Sequence, residues 1–460
     1  MIQPTRFALY LKVLVPTFFI IWSLWMLGAP APRYDQILRQ FKGERGLFVQ
    51  DILENEVGGS FDPWPIQKLC DEKTWTPGLV ISCEPSMGGI GHVRNAQLNC
   101  IRLAIEVGGE VILPGIVKRN TNDITKLNKV ADPKGPLRGE PLDYLFDKQY
   151  LIQSLETSCP QLKVYQSLND LVDQPSVQSP LKLDLENFPV AKEPGGTLTD
   201  PSTWGTSFYG WLNQTKPVEQ RKYPMRVHMS VSNFYWPAQS DGPAFAKQFG
   251  RVMRPREDAR RLAAVAIYEM NRRFKWGWEP RRDAILKDTY VGVHLRTEAD
   301  AVERFPEYAV QGADYLNYAS NTNLSVIFLA YGDTAKNVDQ FTLRAQDFQI
   351  EVISKSDLLS GDELRYLKNM SWDQRGLVDF EILTRSAYQT GPAASTFSFN
   401  IALRRNTMAA DYSEEETSTD SVMETEADQR SGRARWIDEY SILYGTDSPA
   451  VRAAVVGIWP

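Results

Sequence analysis

The stretch Gly78–Leu113, GLVISCEPSMGGIGHVRNAQLNCIRLAIEVGGEVIL, decides the fold. It opens on a continuous apolar run, Gly78 to Ser82, which suits a buried parallel strand. A glycine-rich turn follows at once, Glu84 to His92. A helix is predicted from Val93 to Val107, with Leu98, Ile101 and Ile105 on one face and Gly108-Gly109 as its stop. Val111 to Leu113 is then a second strand. Strand, glycine turn, helix and strand make one βαβ unit, so this part of the chain is an α/β domain.

Working outward, a second α/β region begins at Tyr290. Tyr290–Leu295, Val326–Ala330 and Glu351–Ile353 read as strands, and Gly376–Thr390 reads as a helix leading to a turn at Gly391-Pro392 and a further helix. Between the two regions, residues 115–245 are rich in Pro, Gly and Asp, with candidate strands at Leu162–Tyr165 and Arg226–Val231. An amphipathic helix is predicted over Glu257–Phe274, with Leu262, Val265, Ala266 and Met270 as its apolar side. The chain of 460 residues suits two such domains. No internal repeat is visible.

Towards the amino terminus, residues 7–28 hold an almost wholly apolar run in which only Lys12 is charged. It is long enough to span a bilayer, and bulky residues fill the end where a cleavage site would need small ones. This predicts a signal anchor, with residues 1–6 as a cytoplasmic tail, residues 29–75 as a stem and the body in the lumen. Four cysteines, Cys70, Cys83, Cys100 and Cys159, permit two bridges in an oxidising compartment, with three possible pairings, or four buried thiols. Sequons stand at Asn213, Asn323 and Asn369.

The formal net charge is −6, which argues against a nucleic-acid partner. Eight of the acids lie in the tract 411–428, which has no base. The rest of the chain is therefore slightly basic and has room for a phosphate pocket. The tract and its flanks, 408–432, are expected to be a disordered loop.

Three constellations sit where α/β domains place their ligands, beyond the carboxyl ends of strands. The first is Gly88, Gly89, Ile90, Gly91 and His92, either an ordinary tight turn or a place where the backbone approaches a ligand closely. The second is HLRTEAD, His294 to Asp300, at the end of a strand. His294 and Arg296 share a face there, and a guanidinium can grip a diphosphate with two parallel bonds. The alternative is an Arg296–Glu298 salt bridge beside a buried His294. The third is DFEILTRSAYQTGPAASTFSFNIALRR, Asp379 to Arg405. Ser395 and Thr396 are natural helix caps, and the same helix start is an anion site.

Taken together, GGIGHVR, HLRTEAD and DFEILTRSAYQTGPAASTFS resemble, in order, the motifs of the GDP-fucose protein O-fucosyltransferase and α-1,6-fucosyltransferase superfamily. The chain looks closest to its plant and fungal O-fucosyltransferase-like members. The resemblance covers about residues 78–405 and is sharpest at the three motifs. It implies a GT-B fold, two Rossmann-like domains facing a cleft, here over residues 76–280 and 281–460. It also implies an inverting transfer of fucose from GDP-fucose to a hydroxyl of a protein or glycan, in the Golgi or endoplasmic reticulum membrane. By the same resemblance, Arg296 holds the β-phosphate, His294 lines the nucleotide site and Asp379 contacts the base. Ser395, Thr396 and Phe397 wrap the phosphates and guanosine, and Gly88, Gly89, Gly91 and His92 close over the sugar.

The chain departs from the family where some members carry a Glu base, because Gly89 stands there, and where many carry Asn, because His92 stands there. The base is then His92, Glu84 or Glu298. The nearest matches to a metal-binding D-x-D, at Asp184 and Asp379, do not follow strands, so no metal cofactor is expected. The open alternatives are a transferase using another nucleotide sugar and a non-catalytic lumenal protein that binds glycans or clients.

Overall fold

The computed structural model describes residues 31–120, 139–185, 187–193, 196–230, 234–298, 305–332, 335–409, 433–446 and 456–460. The anchor segment 7–28 lies outside them, as does nearly all of the acidic loop. No helix among the described residues is long and apolar enough to cross a membrane.

Two sheets organise the chain, one in each α/β region. The first has five parallel strands in the order β3-β2-β1-β5-β4: β1 (Leu79–Cys83), β2 (Glu110–Ile112), β3 (Val164–Tyr165), β4 (Leu181–Asp184) and β5 (Met225–Ser230). β1 is buried at every position, as its unbroken apolar run requires of a central parallel strand. The second sheet has six strands in the order β10-β11-β9-β6-β7-β8: β6 (Val291–Leu295), β7 (Val326–Tyr331), β8 (Glu351–Ile353), β9 (Tyr388–Pro392), β10 (Ala434–Ile437) and β11 (Ser441–Tyr444). Its pairs are parallel except for β10 with β11.

Each sheet reverses its winding direction next to its first strand. In the first, the chain winds outward from β1 through β2 and β3, then returns to the other side, where β5 lies against β1. In the second, it winds from β6 through β7 and β8, and β9 then pairs with β6 on the other side. Crevices at such reversals, beyond the carboxyl ends of the strands, are where open α/β sheets bind ligands.

The helix Glu257–Phe274 forms where its pattern predicts. Glu257 and Asp258 lie in its first turn and Arg272 and Arg273 in its last, in keeping with the helix dipole. It packs on the helix Trp372–Arg385 and on the helix Ala31–Glu54, so it braces the second region.

The structure differs from the sequence reading in three segments. Asp184, read as lying in an irregular region, is the last residue of the strand β4. Residues 29–75 are not simply a stem. Val49, Ile52, Ile66 and Cys70 are buried in the main core, and Cys70 is bridged to Cys159. Their apolar spacing in a mixed polar stretch is the amphipathic pattern of helices lying on a body. The helix predicted over Gly376–Thr390 ends at Arg385, and the supposed turn at Gly391-Pro392 is the end of β9. The run from Ser386 to Pro392 is apolar and polar by turns and too short for periodicity to separate strand from helix; its place between β6 and β11 makes it a strand. Cys83 pairs with Cys100, which resolves the connectivity, and no cysteine is free.

Candidate functional site

The glycine turn leaves β1 at the reversal point of the first sheet. It is held by the segment that follows β2: Ser86 N donates to Gly115 O at 2.8 Å, and Val117 N donates to Ser86 O at 2.8 Å. Gln97 Nε2 donates to Ser86 Oγ at 3.1 Å and to Pro114 O at 2.9 Å. Gly88 has φ +104°, a conformation that favours glycine. Gly89 then caps the helix Ile90–Glu106.

In the second sheet, HLR ends β6 and the segment Ala393–Thr396 follows β9, on the two strands that flank the reversal. Ser395 is a helix cap as its residue type predicts. Its Oγ accepts from Ser398 N at 3.4 Å and its carbonyl from Phe399 N at 2.9 Å, opening the helix Thr396–Ala409. His294 Nδ1 meets Ser398 Oγ at 2.7 Å, and its ring lies 4.7 Å from that of Phe397, which also contacts Phe380. Burial, and then the Arg296 charge, push the His294 imidazole down to about 3, so it is neutral.

The two regions meet at these segments. A Cβ placed on Gly91 would lie 2.8 Å from Phe397 N and would overlap the Thr396 carbonyl. Only a glycine lets the first turn of one helix press against the start of the other. Gly376 likewise faces Ile90, whose Cδ1 would be 2.9 Å from an added Cβ. All three sequence motifs therefore converge, although the first and last are some three hundred residues apart.

Arg296 lies at the mouth of β6. Its backbone N–H donates to Gln311 Oε1 at 3.0 Å, and Gln311 Nε2 returns a bond to Arg296 O at 2.7 Å. The guanidinium is paired with Glu298 and sits 5.8 Å from the centre of the Trp372 ring and 5.6 Å from that of Phe305. Glu298 is itself buried and tight against Gly332. The salt bridge that was the alternative reading of this motif is thus formed, and it occupies the Glu298 carboxylate.

The other base candidates differ. His92 is half-buried, edge-on to Tyr235 with ring centres 6.5 Å apart, and burial lowers its pKa. Glu84 Oε1 meets His228 Nε2 at 3.2 Å, and His228 Nδ1 meets Ser82 Oγ at 3.0 Å. Asp379 is buried and paired with Lys355; burial raises its pKa, and its Oδ1 has no partner. The Asp379 carboxylate, expected to contact the base, is thus turned to Lys355.

Sequence reasoning missed Arg119, Gln311, Trp372, His228 and Ser398. Arg119 could have been found, because it lies shortly after β2 on the ligand-binding edge of the sheet. A groove of about 590 Å³ lined by Thr74, Glu106, Tyr209 and Asn213 lies at the other end of the helix Ile90–Glu106, near the amino ends of the strands. Among the described residues, no group of three or more His, Cys, Asp or Glu is placed to hold a metal ion.

No protein-family profile matches the chain, and no curated protein sequence matches it. Among solved structures it is similar to POFUT1 in complex with GDP-fucose, at 14% identity over 81% of this chain and 99% of that one, with a TM-score of 0.45. It is similar to the fucosyltransferase NodZ from Bradyrhizobium, at 14% identity over 70% and 92%, with a TM-score of 0.35. A variant of Arabidopsis thaliana FUT1 in complex with GDP is also similar, at 11% identity over 74% and 71%, with a TM-score of 0.36.

Proposed function

We propose that this chain is an inverting, GDP-fucose-dependent glycosyltransferase of the GT-B type, acting on a hydroxyl of a protein or glycan acceptor. The observation that carries the reading is the approach of Gly91 to Thr396 and Phe397. It brings the glycine turn to the helix start that, with Arg296, is suited to a diphosphate. In this reading the donor lies at the reversal crevice of the second sheet, and the acceptor approaches from the side of the first.

The acceptor oxygen attacks the anomeric carbon of the sugar. The bond from that carbon to the β-phosphate oxygen breaks, and GDP departs with the electron pair. Arg296 and the positive end of the helix Thr396–Ala409 stabilise the charge left on the diphosphate, so no metal is required. His92, neutral at pH 7, takes the acceptor proton, with Glu84, which meets His228, as the alternative base near the turn. His294 serves as a neutral anchor that fixes Ser398 and Phe397 at the helix start.

The test is GDP binding by calorimetry together with hydrolysis of GDP-fucose, in the parent and in Arg296→Ala and Arg296→Lys. Both variants should bind GDP more weakly, by about 1–3 kcal/mol for a lost charge-assisted bond. Both should lose transfer by roughly 100-fold or more. Lys should do little better than Ala, because it lacks the planar fork. A folded Arg296→Ala protein that transfers fucose at the parent rate sinks the proposal.

A further inference from the structure

Arg119 is an arginine of the first region that reaches into the site of the second. It sits 4.5 Å from the centre of the Trp372 ring, the same ring that Arg296 approaches. Its Nη2 would lie 3.9 Å from a Cβ placed on Gly89. Its guanidinium thus lies within van der Waals reach of the glycine turn. Both arginines are paired with a carboxylate: Arg296 with Glu298, and Arg119 with Asp373, whose Oδ1 accepts from Arg119 Nε at 3.1 Å. Both members of the Arg119–Asp373 pair are more than nine-tenths buried.

The backbone around this pair is fixed from both sides. Ser86 ties the segment that carries Arg119 to the glycine turn. Tyr144, also of the first region, donates from its hydroxyl to Ser371 Oγ at 2.7 Å, and its carbonyl accepts from Gln374 Nε2 at 2.9 Å. Asp373 and Trp372 therefore stand at a helix start clamped to the first region, with Arg119 laid across it.

We propose that Arg119 is a second phosphate-binding cation for the donor, with Asp373 as its counter-ion while the site is empty. The diphosphate of a nucleoside-diphosphate sugar exchanges with Asp373 for Arg119, as it exchanges with Glu298 for Arg296. The two regions then grip the leaving group together. This rests on the GDP-sugar reading of the Arg296 site.

The experiment measures the affinities of GDP and of guanosine for the full chain carrying Arg119→Ala, Asp373→Asn, both changes together, or Arg296→Ala. Arg119→Ala should weaken GDP by about tenfold, the effect of one lost charge-assisted bond, and leave guanosine unchanged. Asp373→Asn removes the competing charge but keeps a hydrogen-bonding partner, so it should tighten GDP. That gain should vanish in the double variant, which assigns it to Arg119. A merely structural pair gives neither the tightening nor its loss.

If Arg119→Ala fails to fold, Asp373→Asn still decides: a folded protein with unchanged or weaker GDP affinity overturns the proposal. So does a folded Arg119→Ala protein that binds GDP like the parent while Arg296→Ala does not. If the parent binds no GDP, the GDP-sugar reading fails instead.

Discussion

At the scale of single residues, the site is built from charges and rings whose protonation burial decides. The His294 imidazole is buried among Phe397, Ser398 and the Arg296 guanidinium and ionises only at about 3. In the unfolded chain the same ring takes up a proton at about 6.5. Between those values the unfolded state binds the proton and the folded state refuses it. Stability above pH 6.5 is therefore untouched by His294 and falls as pH drops toward 3, by up to about 1.4 kcal/mol per unit. Urea midpoints at pH 7 and pH 5 should show a larger fall for the parent than for His294→Asn, which keeps an amide for Ser398 but cannot titrate there. Equal falls in the two proteins would mean that other groups carry the acid sensitivity.

At the scale of elements, the motifs matter through the helices and strands that deliver them. The start of one helix rests on the start of another because position 91 has no side chain. Gly91→Ala should push the two apart, at a cost of about 1–3 kcal/mol as overpacking against backbone, and should depress GDP affinity. Gly210, on the exposed side of the helix Trp204–Thr215, has open space around it, and Gly210→Ala is the control. Substituting Ala there should raise stability by up to about 1 kcal/mol. Thermal melts of the two variants, with and without GDP, separate the outcomes, and a Gly91→Ala protein as stable as the parent would show that the approach is not tight.

Much of this level was legible in the sequence. β1, the helix after it, the helix Glu257–Phe274 and strands β6 to β8 lie where apolar runs and glycines place them. β9 was not legible, because a strand of five residues between two others is set by its neighbours rather than by its own pattern. Nor was the contact of Arg119 with Trp372 and Asp373, since nothing local in Val117–Arg119 says which distant ring it will meet.

At the scale of the whole molecule, the two regions are joined as one body by long-range polar ties as well as by the site. Glu56 is the centre of one: Arg260 lies 2.9 Å away, Arg254 3.1 Å, and Arg404 of the second region 3.9 Å. Burial opposes its ionisation, yet these arginines keep its carboxyl below the ordinary range. Trp459 is the centre of another. It is fully buried beside Phe249; its N–H groups go to Asn95 and Asn99, and its carbonyl accepts from Arg94 and from Asn400. Neither knot was visible as a sequence pattern.

The same scale carries the compartment, which we propose to be the lumen of the secretory pathway, with residues 7–28 as the anchor. Cys70–Cys159 and Cys83–Cys100 leave no free thiol, and bridges of this kind persist in oxidising surroundings. Asn213, Asn323 and Asn369 are all exposed, so each sequon is open to an N-linked glycan. Expressed through a secretory route, the full chain should lose mass on treatment with an N-glycanase and stay with the membrane in alkaline carbonate. Replacing all three asparagines with Gln should abolish the mass change without releasing the protein. A chain that carries no glycan, reacts with thiol reagents when native, and leaves the membrane in carbonate is not lumenal, and the acceptor would then have to be sought in the cytoplasm.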